Sequence, residues 1–410
     1  MKTTDVVVVG AGPAGMALAI FLVREGLRVT VLDQAKFPRD KVCGEFISPA
    51  ADPILSDMGV LDTLEKTRPQ RLNGVYISAY EKEELSVNYP PMPGGAKTPT
   101  SLSIPRIVLD NLIANQVRVS GAEILEKHRV DDFIFEGDRV AGVKGRGPRG
   151  RPFNLKARIT IDAGGRNALS LRRLSLKRSA SGGRTALAAH WGGAGRVGEY
   201  CYMHISRPGY TGMAKTGNAQ VNVVLVVDPG LLKGRQTEEF YRETVLKNSL
   251  RAELLKGAEP IEPVRIVESL AFEATSPSCE GLVLVGDAMG FIDPFTGEGI
   301  YLALRSSQIA AKVIISALEE NDVSRKKLME YSIARKREFE RKFLLGRVLE
   351  GVLYRPFICR KMVGLLSKKP KLARELVGVI GDYLDPQTAV SLSYLMRLLA
   401  PAKLADGDGG

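Results

Sequence analysis

The sequence predicts an α/β fold with an inserted antiparallel sheet (an α+β insert) and a helical C-terminal region. Residues 5–9 form a β-branched run, followed by a glycine-rich turn, an apolar helical stretch to Val23 and a second strand at 28–32. This is the order of a βαβ unit with a parallel sheet. Between residues 185 and 227 polar and apolar residues alternate, as expected for antiparallel strands. From 324 to 400 the pattern is helical.

Further elements complete the framework. A helix is predicted to begin at Arg106, and residues 129–143 are typical of a hairpin. A last framework strand over 281–286 leads into a long helix from about Gly299. Pro356 is expected to bend or split the C-terminal helical region, because proline removes a helical hydrogen bond.

These elements divide the chain into four parts. We predict a discontinuous dinucleotide-binding domain, an inserted substrate-binding sheet domain, a basic helical region and a disordered tail. In that order, their ranges are 1–75, 105–175 and 275–335; 76–104 and 176–274; 336–400; and 401–410.

Composition limits the class of protein. With 410 residues and 44% hydrophobic content, the chain can build a large buried core. We expect a cytoplasmic protein, since apolar runs are too short to span a membrane and the first strand leaves no room for a signal peptide. The four cysteines lie far apart, so neither a zinc site nor a disulfide framework is expected. His128, His190 and His204 lack metal-binding spacing, so we expect no metal and structural roles for these histidines.

The net charge of +12 is concentrated near the C-terminus. Between Arg335 and Arg374 there are thirteen Lys or Arg against three Glu, interleaved with apolar residues at helical spacing. This segment lacks a nucleic-acid-binding motif, and we expect no nucleic acid partner. Two interpretations stay open: the apolar face packs on the protein's own domain, or it makes a peripheral contact at the inner face of a membrane.

The first turn carries a dinucleotide-binding pattern. Gly10, Gly12 and Gly15 stand between strand and helix, where backbone N–H groups can approach a pyrophosphate at the helix N-terminus. Ala14 lies within the same turn, and Asp33 at the end of the second strand is placed to accept hydrogen bonds from ribose hydroxyls. These residues predict a Rossmann-like domain, but the motif does not show whether the bound dinucleotide is NAD or FAD.

A second motif, GDAMGFIDPFTGEGI, resembles that of the flavoprotein superfamily containing para-hydroxybenzoate hydroxylase, flavin-dependent halogenases and geranylgeranyl reductases. The resemblance implies FAD as cofactor, with an Asp on the ribityl chain and a Pro and glycines around the flavin ring. It implies that the next helix points its positive end at the flavin, where negative charge accumulates on reduction. The residues on these positions are Gly286, Asp287, Pro294, Gly297, Gly299 and Ile300.

A third element matches the superfamily less fully. Asp162 resembles the Asp of its DG motif, but Ala163 replaces the Gly. In hydroxylases this motif is linked with both FAD and the nicotinamide cofactor, so the electron donor stays open between NAD(P)H and another reductant. Val130 is a further predicted cofactor contact.

Within the superfamily, the segment FPRDKVCGEFISP is most similar to the geranylgeranyl reductase family. The resemblance implies cofactor contacts from Lys41, Cys43, Gly44 and Arg106, and a chemical role for the Cys43 thiol is a hypothesis. In the substrate sheet the chain departs from the family's signature of Tyr, Trp, Phe and Pro, and Tyr210 is the only clear match. Trp191, the only tryptophan, is a second candidate substrate residue, and a single tryptophan rules out the WxWxIP motif of halogenases.

The resemblance implies an FAD-dependent oxidoreductase that reduces a carbon–carbon double bond of a hydrophobic isoprenoid, quinone or polyketide-like molecule. An FAD-dependent monooxygenase acting on an aromatic or polyketide substrate is the close alternative, because both reactions use one scaffold. A third alternative is a non-catalytic fold that binds a lipid-bearing partner.

Overall fold

The computed structural model describes residues 3–95, 98–179, 183–217, 219–268, 270–291 and 294–401. The tail predicted at 401–410 therefore lies outside the described residues, except for its first position.

Strands occur throughout the first three quarters of the chain. Within the described residues they are β1 Thr3–Val9, β2 Val29–Leu32, β3 Phe46–Ile47, β4 Gln70–Leu72, β5 Gly74–Ala79, β6 Glu83–Asn88, β7 Ser101–Ser103, β8 Glu123–Leu125, β9 Arg129–Glu136, β10 Arg139–Arg146, β11 Pro152–Asp162, β12 Lys177–Ser179, β13 Thr185–Gly192, β14 Tyr200–Ser206, β15 Gly209–Gly217, β16 Gln220–Val227, β17 Glu259–Pro260, β18 Arg265–Val267, β19 Phe272–Ala274, β20 Leu282–Leu284 and β21 Gly290–Phe291.

Helices separate the framework strands and fill the C-terminal quarter. Within the same described ranges they are α1 Pro13–Arg24, α2 Asp52–Asp57, α3 Leu61–Lys66, α4 Arg106–Val119, α5 Leu169–Arg173, α6 Thr237–Lys247, α7 Ser249–Leu254, α8 Gly299–Glu319, α9 Arg325–Leu353, α10 Pro356–Ser367, α11 Pro370–Ile380, α12 Gln387–Val390 and α13 Leu392–Leu399.

The framework sheet has the order β8-β2-β1-β11-β10-β9, and β20 also pairs with β11. The pairs β8–β2, β2–β1, β1–β11 and β11–β20 are parallel, whereas β9 and β10 form the predicted antiparallel hairpin. Val6, Val7 and Val8 of β1 are fully buried, so both faces of the sheet are covered at this strand, and α1 packs against β1, β2, α4 and α8. The fold is the α/β arrangement that the sequence predicts, and its parallel strands end at the glycine-bearing turns.

The second sheet has the order β17-β13-β16-β15-β14-β5-β6, with β18 also pairing with β13. Its pairs are antiparallel apart from β14–β5. Two smaller sheets, β3-β7-β4 and β12-β19-β21, lie outside both large ones. Residues 76–104 thus supply most of β5 and all of β6 to the second sheet, while β7 pairs with β3 and β4. The domain boundaries stay predictions.

The C-terminal helices cover one face of the second sheet. The prediction for Pro356 is confirmed, since α9 ends at Leu353 and α10 begins at Pro356. Leu345, Leu349 and Leu353 recur at four-residue spacing and share a hydrophobic cluster with Ile205 of β14. Part of the basic segment therefore packs on the protein's own sheet.

Candidate functional site

The first glycine turn is built by close backbone packing. Gly10 has φ +102°, and a Cβ there would lie 2.5 Å from the Ala163 carbonyl oxygen. A Cβ on Gly15 would lie 2.1 Å from the Gly10 oxygen, whereas one on Gly12 would meet nothing within 4 Å. Gly10 and Gly15 therefore permit the close packing of the turn, and Gly12 leaves open space beside its backbone.

Asp33 at the end of β2 is fixed by this turn. Its Oδ2 accepts a hydrogen bond from the Ala11 amide at 2.9 Å, and its Oδ1 accepts one from the Ala35 amide at 2.8 Å. Arg39 donates to the Ala11 carbonyl at 2.9 Å and lies 3.8 Å from the Asp33 carboxylate. Each carboxylate oxygen keeps a second lone pair, so Asp33 can still accept from ribose hydroxyls.

The second motif meets the first in space. Gly286 has φ +61°, and a Cβ there would lie 2.8 Å from the Cβ of Ala14. Ser307 of α8 donates to the Ala14 carbonyl at 2.8 Å. A Cβ on Gly297 would lie 2.6 Å from the Phe46 ring. Turns almost 300 residues apart are therefore packed against one another.

The third element is held by its aspartate. Asp162 is fully buried at the end of β11, and it accepts from the amides of Gly164 at 3.0 Å and Ser170 at 2.7 Å. Burial raises the pKa of Asp162, although these amide donors oppose the shift. In this structure Asp162 shapes the loop that carries Ala163 against Gly10. Val130 in β9 is half-buried beside the framework core.

Cations from four separate segments of the chain lie near Asp287. Burial raises the pKa of Asp287, while Arg106, Arg166, Lys41 and Arg335 act in the opposite direction. The pKa of Lys41 is lowered, first by partial desolvation and then by the neighbouring guanidinium groups. Four cations thus lie near Asp287, and although Arg106 also pairs with Asp110, the remaining excess of positive charge suits an anionic ligand such as a pyrophosphate.

Residues 38–45 form the Cys43 loop. This loop lies between the cation cluster and the second sheet. Arg106 makes a bidentate pair with Asp110, with both distances 2.8 Å. Burial lowers the pKa of Arg106, but Asp110 and Cys43 outweigh it and the net shift is upward. The amide of Asn222 in β16 donates to the Cys43 carbonyl at 2.7 Å. The Cys43 thiol is half-buried beside Arg106, and its chemical role stays a hypothesis.

These residues fit FAD. Gly12, Gly44 and Gly299 come from three distant segments, and a Cβ at each would meet nothing within 4 Å. Backbone with open space beside it is what a closely bound nucleotide requires. A small cleft is lined by Gly286, Asp287 and Gly299, among others. The helix α8 begins at Gly299, as predicted, and follows the 3-10 turn Pro294–Thr296; Ile300 is buried in its first turn.

A cluster that the sequence analysis missed joins the Cys43 loop to the second sheet. Glu45 is 2% exposed, and its Oε1 accepts from the Arg106 amide at 3.0 Å. His190 in β13 bridges two carboxylates, with Nε2 2.7 Å from Glu45 and Nδ1 2.7 Å from Glu262. Burial lowers the pKa of His190, but the two carboxylates outweigh it and raise it to about 9. His190 is therefore a cation at neutral pH, and only the fold could bring these three residues together.

Residues 294–299 form the predicted flavin loop. A second cluster that the sequence analysis missed lies beside this loop. Glu298, between Gly297 and Gly299, lies 3.4 Å from the Nζ of Lys342 in α9. Lys342 also lies 2.5 Å from Asp382 and donates to the Val379 carbonyl at 2.7 Å. Burial raises the pKa of Glu298 to about 7, although Lys342 opposes the shift. This cluster ties the flavin loop to the C-terminal helices.

The two candidate substrate residues occupy different places. Tyr210 in β15 is buried and packs edge-on against Phe295, which follows the GD motif, at 5.3 Å between ring centroids. Trp191 is fully buried in a different cluster, where its Nε1 donates to the Tyr241 hydroxyl of α6 at 2.9 Å. The structure thus brings Tyr210 to the flavin loop but does not bring Trp191 there, because alternation in β13 turns Trp191 away from the His190 face.

The remaining histidines lie elsewhere. His204 is buried, its Nδ1 is 2.7 Å from the Ser78 hydroxyl, and burial lowers its pKa to about 3. The Nδ1 of His128 lies 2.7 Å from the Glu126 carbonyl. Within the described ranges, no group of three or more His, Cys, Asp or Glu side chains could hold a metal ion.

The family described as "FAD binding domain" matches residues 3–342. This chain belongs to that family. It is an FAD-dependent oxidoreductase, and the cofactor contacts assigned to the three converging turns stay predictions.

Curated relatives carry out different reactions. Conditioned medium factor receptor 1 of Dictyostelium discoideum is 28% identical over 381 residues, covering 89% of this chain and 74% of the relative. The 1H-pyrrole-2-carbonyl-(peptidyl-carrier protein) chlorinase of Pseudomonas fluorescens is 25% identical, covering 80% and 79%. The digeranylgeranylglycerophospholipid reductase of Methanocella arvoryzae is 25% identical over 418 residues, covering 92% and 99%.

Solved structures share the fold over nearly the whole chain. A flavoprotein/dehydrogenase from Cytophaga hutchinsonii has a TM-score of 0.84 at 22% identity, covering 98% of this chain and 99% of that one. The flavin-dependent brominase Bmp2 has a TM-score of 0.80 at 19% identity, covering 93% and 94%. At these identities the likeness concerns the fold alone. Of the helices within the described ranges, none combines the length and apolar character that crossing a bilayer requires.

Proposed function

We propose that this flavoenzyme reduces a carbon–carbon double bond in a hydrophobic isoprenoid, quinone or polyketide-like substrate. The observation that carries the proposal is the position of His190 between Glu45 and Glu262, on the sheet face that contacts the Cys43 loop. Saturating a double bond needs a hydride at one carbon and a proton at the other. A histidine with a pKa near 9 holds such a proton at neutral pH.

When bound, reduced FAD supplies a hydride to the substrate or, with O2, an oxygen atom. The amides of the first turn and the cations near Asp287 hold the anionic part of the cofactor, and Asp33 binds the ribose. His190 holds the proton, and Glu262, whose side chain is 27% exposed, connects the imidazole with solvent. Buried Glu45 fixes the ring from the cofactor side.

Reductase relatives support this proposal. Besides the archaeal lipid reductases, the menaquinone reductase of Mycolicibacterium smegmatis is 26% identical and covers 76% of this chain. All these names describe reduction of an isoprenoid-bearing lipid or quinone, which agrees with the substrate class proposed here.

The test is a single-turnover assay without oxygen. Dithionite-reduced enzyme, freed of excess dithionite, is mixed with an unsaturated archaeal-type glycerophospholipid or with menaquinone. After any quinol ring is reoxidised in air, mass spectrometry measures the gain of two hydrogens in the isoprenoid chain. We expect the wild type to reduce at least one of them and His190→Gln to be slowed roughly 100-fold, with FAD content unchanged. A wild type that reduces neither while binding both would contradict the proposal.

A second candidate is oxygen-dependent chemistry, either hydroxylation or halogenation. The chlorinase and the Tryptophan 2-halogenase of Chondromyces crocatus, 25% identical over 77% of this chain, favour it. Substrate-stimulated oxidation of NAD(P)H with uptake of O2 would support this candidate over reduction. The electron donor is tested in the same assay by replacing dithionite with NADH or NADPH.

A further inference from the structure

The last helix, α13, presents an apolar face to solvent. Leu392, Leu395, Met396 and Leu399 are 71%, 49%, 58% and 59% exposed. Their spacing of three, four and seven residues places them on one side of the helix. Exposed apolar residues are common singly, but four on one helical face indicate a surface that is covered in use.

The opposite side of α13 is firmly attached to the protein. Tyr394 and Leu398 are buried, and the Tyr394 hydroxyl donates to the Leu372 carbonyl of α11 at 2.9 Å. The ammonium group of Lys369 donates to the carbonyls of Arg397, Leu398 and Ala400 at 2.6 to 2.8 Å, which satisfies the C-terminal end of the helix. The exposed face is therefore part of a fixed element.

Positive charge lies on the neighbouring helix. Lys371 and Arg374 are exposed on α11, the helix on which α13 packs. On α13 itself, Arg397 pairs with Glu375 at 2.8 Å. The segment 335–374, which contains most of α9, all of α10 and the start of α11, has thirteen cations against three carboxylates; Lys342 and Lys369 are buried, which leaves eleven that are exposed or half-buried. An apolar helical face beside excess cations matches the chemistry of an anionic lipid surface.

We propose that α13 lies flat on an anionic membrane, with Leu392, Leu395, Met396 and Leu399 in the boundary between headgroups and acyl chains. Exposed cations of α11 contact the anionic headgroups. This arrangement needs no helix that crosses the bilayer, and it holds whether the enzyme reduces or oxygenates its substrate. A membrane position would also give the flavin site access to lipid-soluble molecules.

The experiment is co-sedimentation of the full-length holoprotein with vesicles. Vesicles of phosphatidylcholine with phosphatidylglycerol are compared with vesicles of phosphatidylcholine alone. We expect the wild type to pellet with the anionic vesicles and to be released by salt. The variant Leu395→Ser, Met396→Ser, Leu399→Ser should bind at least about tenfold more weakly, because it loses most of the inserted apolar area.

A matched control changes three exposed apolar residues elsewhere: Val119→Ser, Phe135→Ser and Ile261→Ser. Their side chains are 80%, 47% and 53% exposed, and this variant should bind vesicles like the wild type. The charge variant Lys371→Gln, Arg374→Gln should weaken binding to anionic vesicles by roughly tenfold or more and leave the weak binding to neutral vesicles unchanged.

Three outcomes would overturn the proposal. The first is a wild type that stays in the supernatant with anionic vesicles. The second is an α13 variant that, with an unchanged melting temperature, pellets as well as the wild type. The third is a wild-type dimer in sedimentation velocity without lipid that the α13 variant abolishes, since the face would then be covered by a second copy.

Discussion

Two buried charged clusters border the cofactor site, and they differ in their access to water. The Glu45–His190–Glu262 cluster runs from a carboxylate that is 2% exposed to one that is 27% exposed. In the Glu298–Lys342–Asp382 cluster the three side chains are 3%, 5% and 2% exposed. The first cluster is connected with solvent, whereas the second cluster is closed to solvent.

This difference indicates different tasks. Protons can exchange along the first cluster, so it can replace a proton consumed at the site. The closed cluster cannot exchange protons readily, and each of its charges depends on the others for compensation. We infer that it holds the flavin loop against α9 and the C-terminal helices, as a structural element and not as a proton source.

The largest loss of stability is expected for Lys342→Met. This change leaves Glu298 and Asp382 buried without their cation, which should cost about 3 to 5 kcal/mol of the free energy of unfolding. Urea denaturation of the holoprotein measures it. The control is Lys336→Met on the same helix, where the side chain is 76% exposed and lies 4.0 Å from Glu340. If both variants lose the same stability, the closed cluster has no special role.

Removing the whole closed cluster should be milder than breaking it. The triple variant Lys342→Met, Glu298→Gln, Asp382→Asn leaves no buried charge and should recover about 2 kcal/mol relative to Lys342→Met alone. The same denaturation assay measures this difference. A triple variant less stable than the single one would show that the carboxylates are needed for other contacts.

The Glu45–His190–Glu262 cluster should make the free energy of unfolding decrease at alkaline pH. The pKa of His190 is raised from 6.5 to about 9 in the folded state, so its contribution is complete below pH 6.5 and is lost as the pH rises through 9. We expect a decrease of roughly 2 kcal/mol over this range after allowing for partial solvent screening. In His190→Gln the decrease should be absent, and a variant that keeps it would refute the assignment.

The smallest loss of stability is expected for Glu262→Gln. Glu262 is the partly exposed partner of His190, and its own pKa is lowered because backbone and side-chain donors of His190, with Arg265, outweigh burial. Losing its charge should cost less than about 1 kcal/mol at neutral pH and lower the pKa of His190, which NMR titration of the imidazole measures. An unchanged imidazole pKa would show that Glu45 alone sets it.

The sequence allowed the glycine-bearing turns of the predicted cofactor site to be located. Gly10, Gly12, Gly15 and Asp33 follow from local rules, because a tight turn between strand and helix admits few residue types. Pro356 ended a helix for an equally local reason. Trp191 was selected only because it is the single tryptophan, and its position on the face toward Tyr241 depends on strand register.

Local chain chemistry thus determined where the glycine turns form and where helices begin and end, and it predicts that those turns bind a dinucleotide, since these choices involve neighbours a few residues apart. Only the tertiary structure decided that His190 bridges Glu45 and Glu262, that Lys342 neutralises two carboxylates, and that α13 leaves its apolar face outside. Those features arise from contacts between segments up to about 145 residues apart, and the energy of a charge depends on what the fold places beside it.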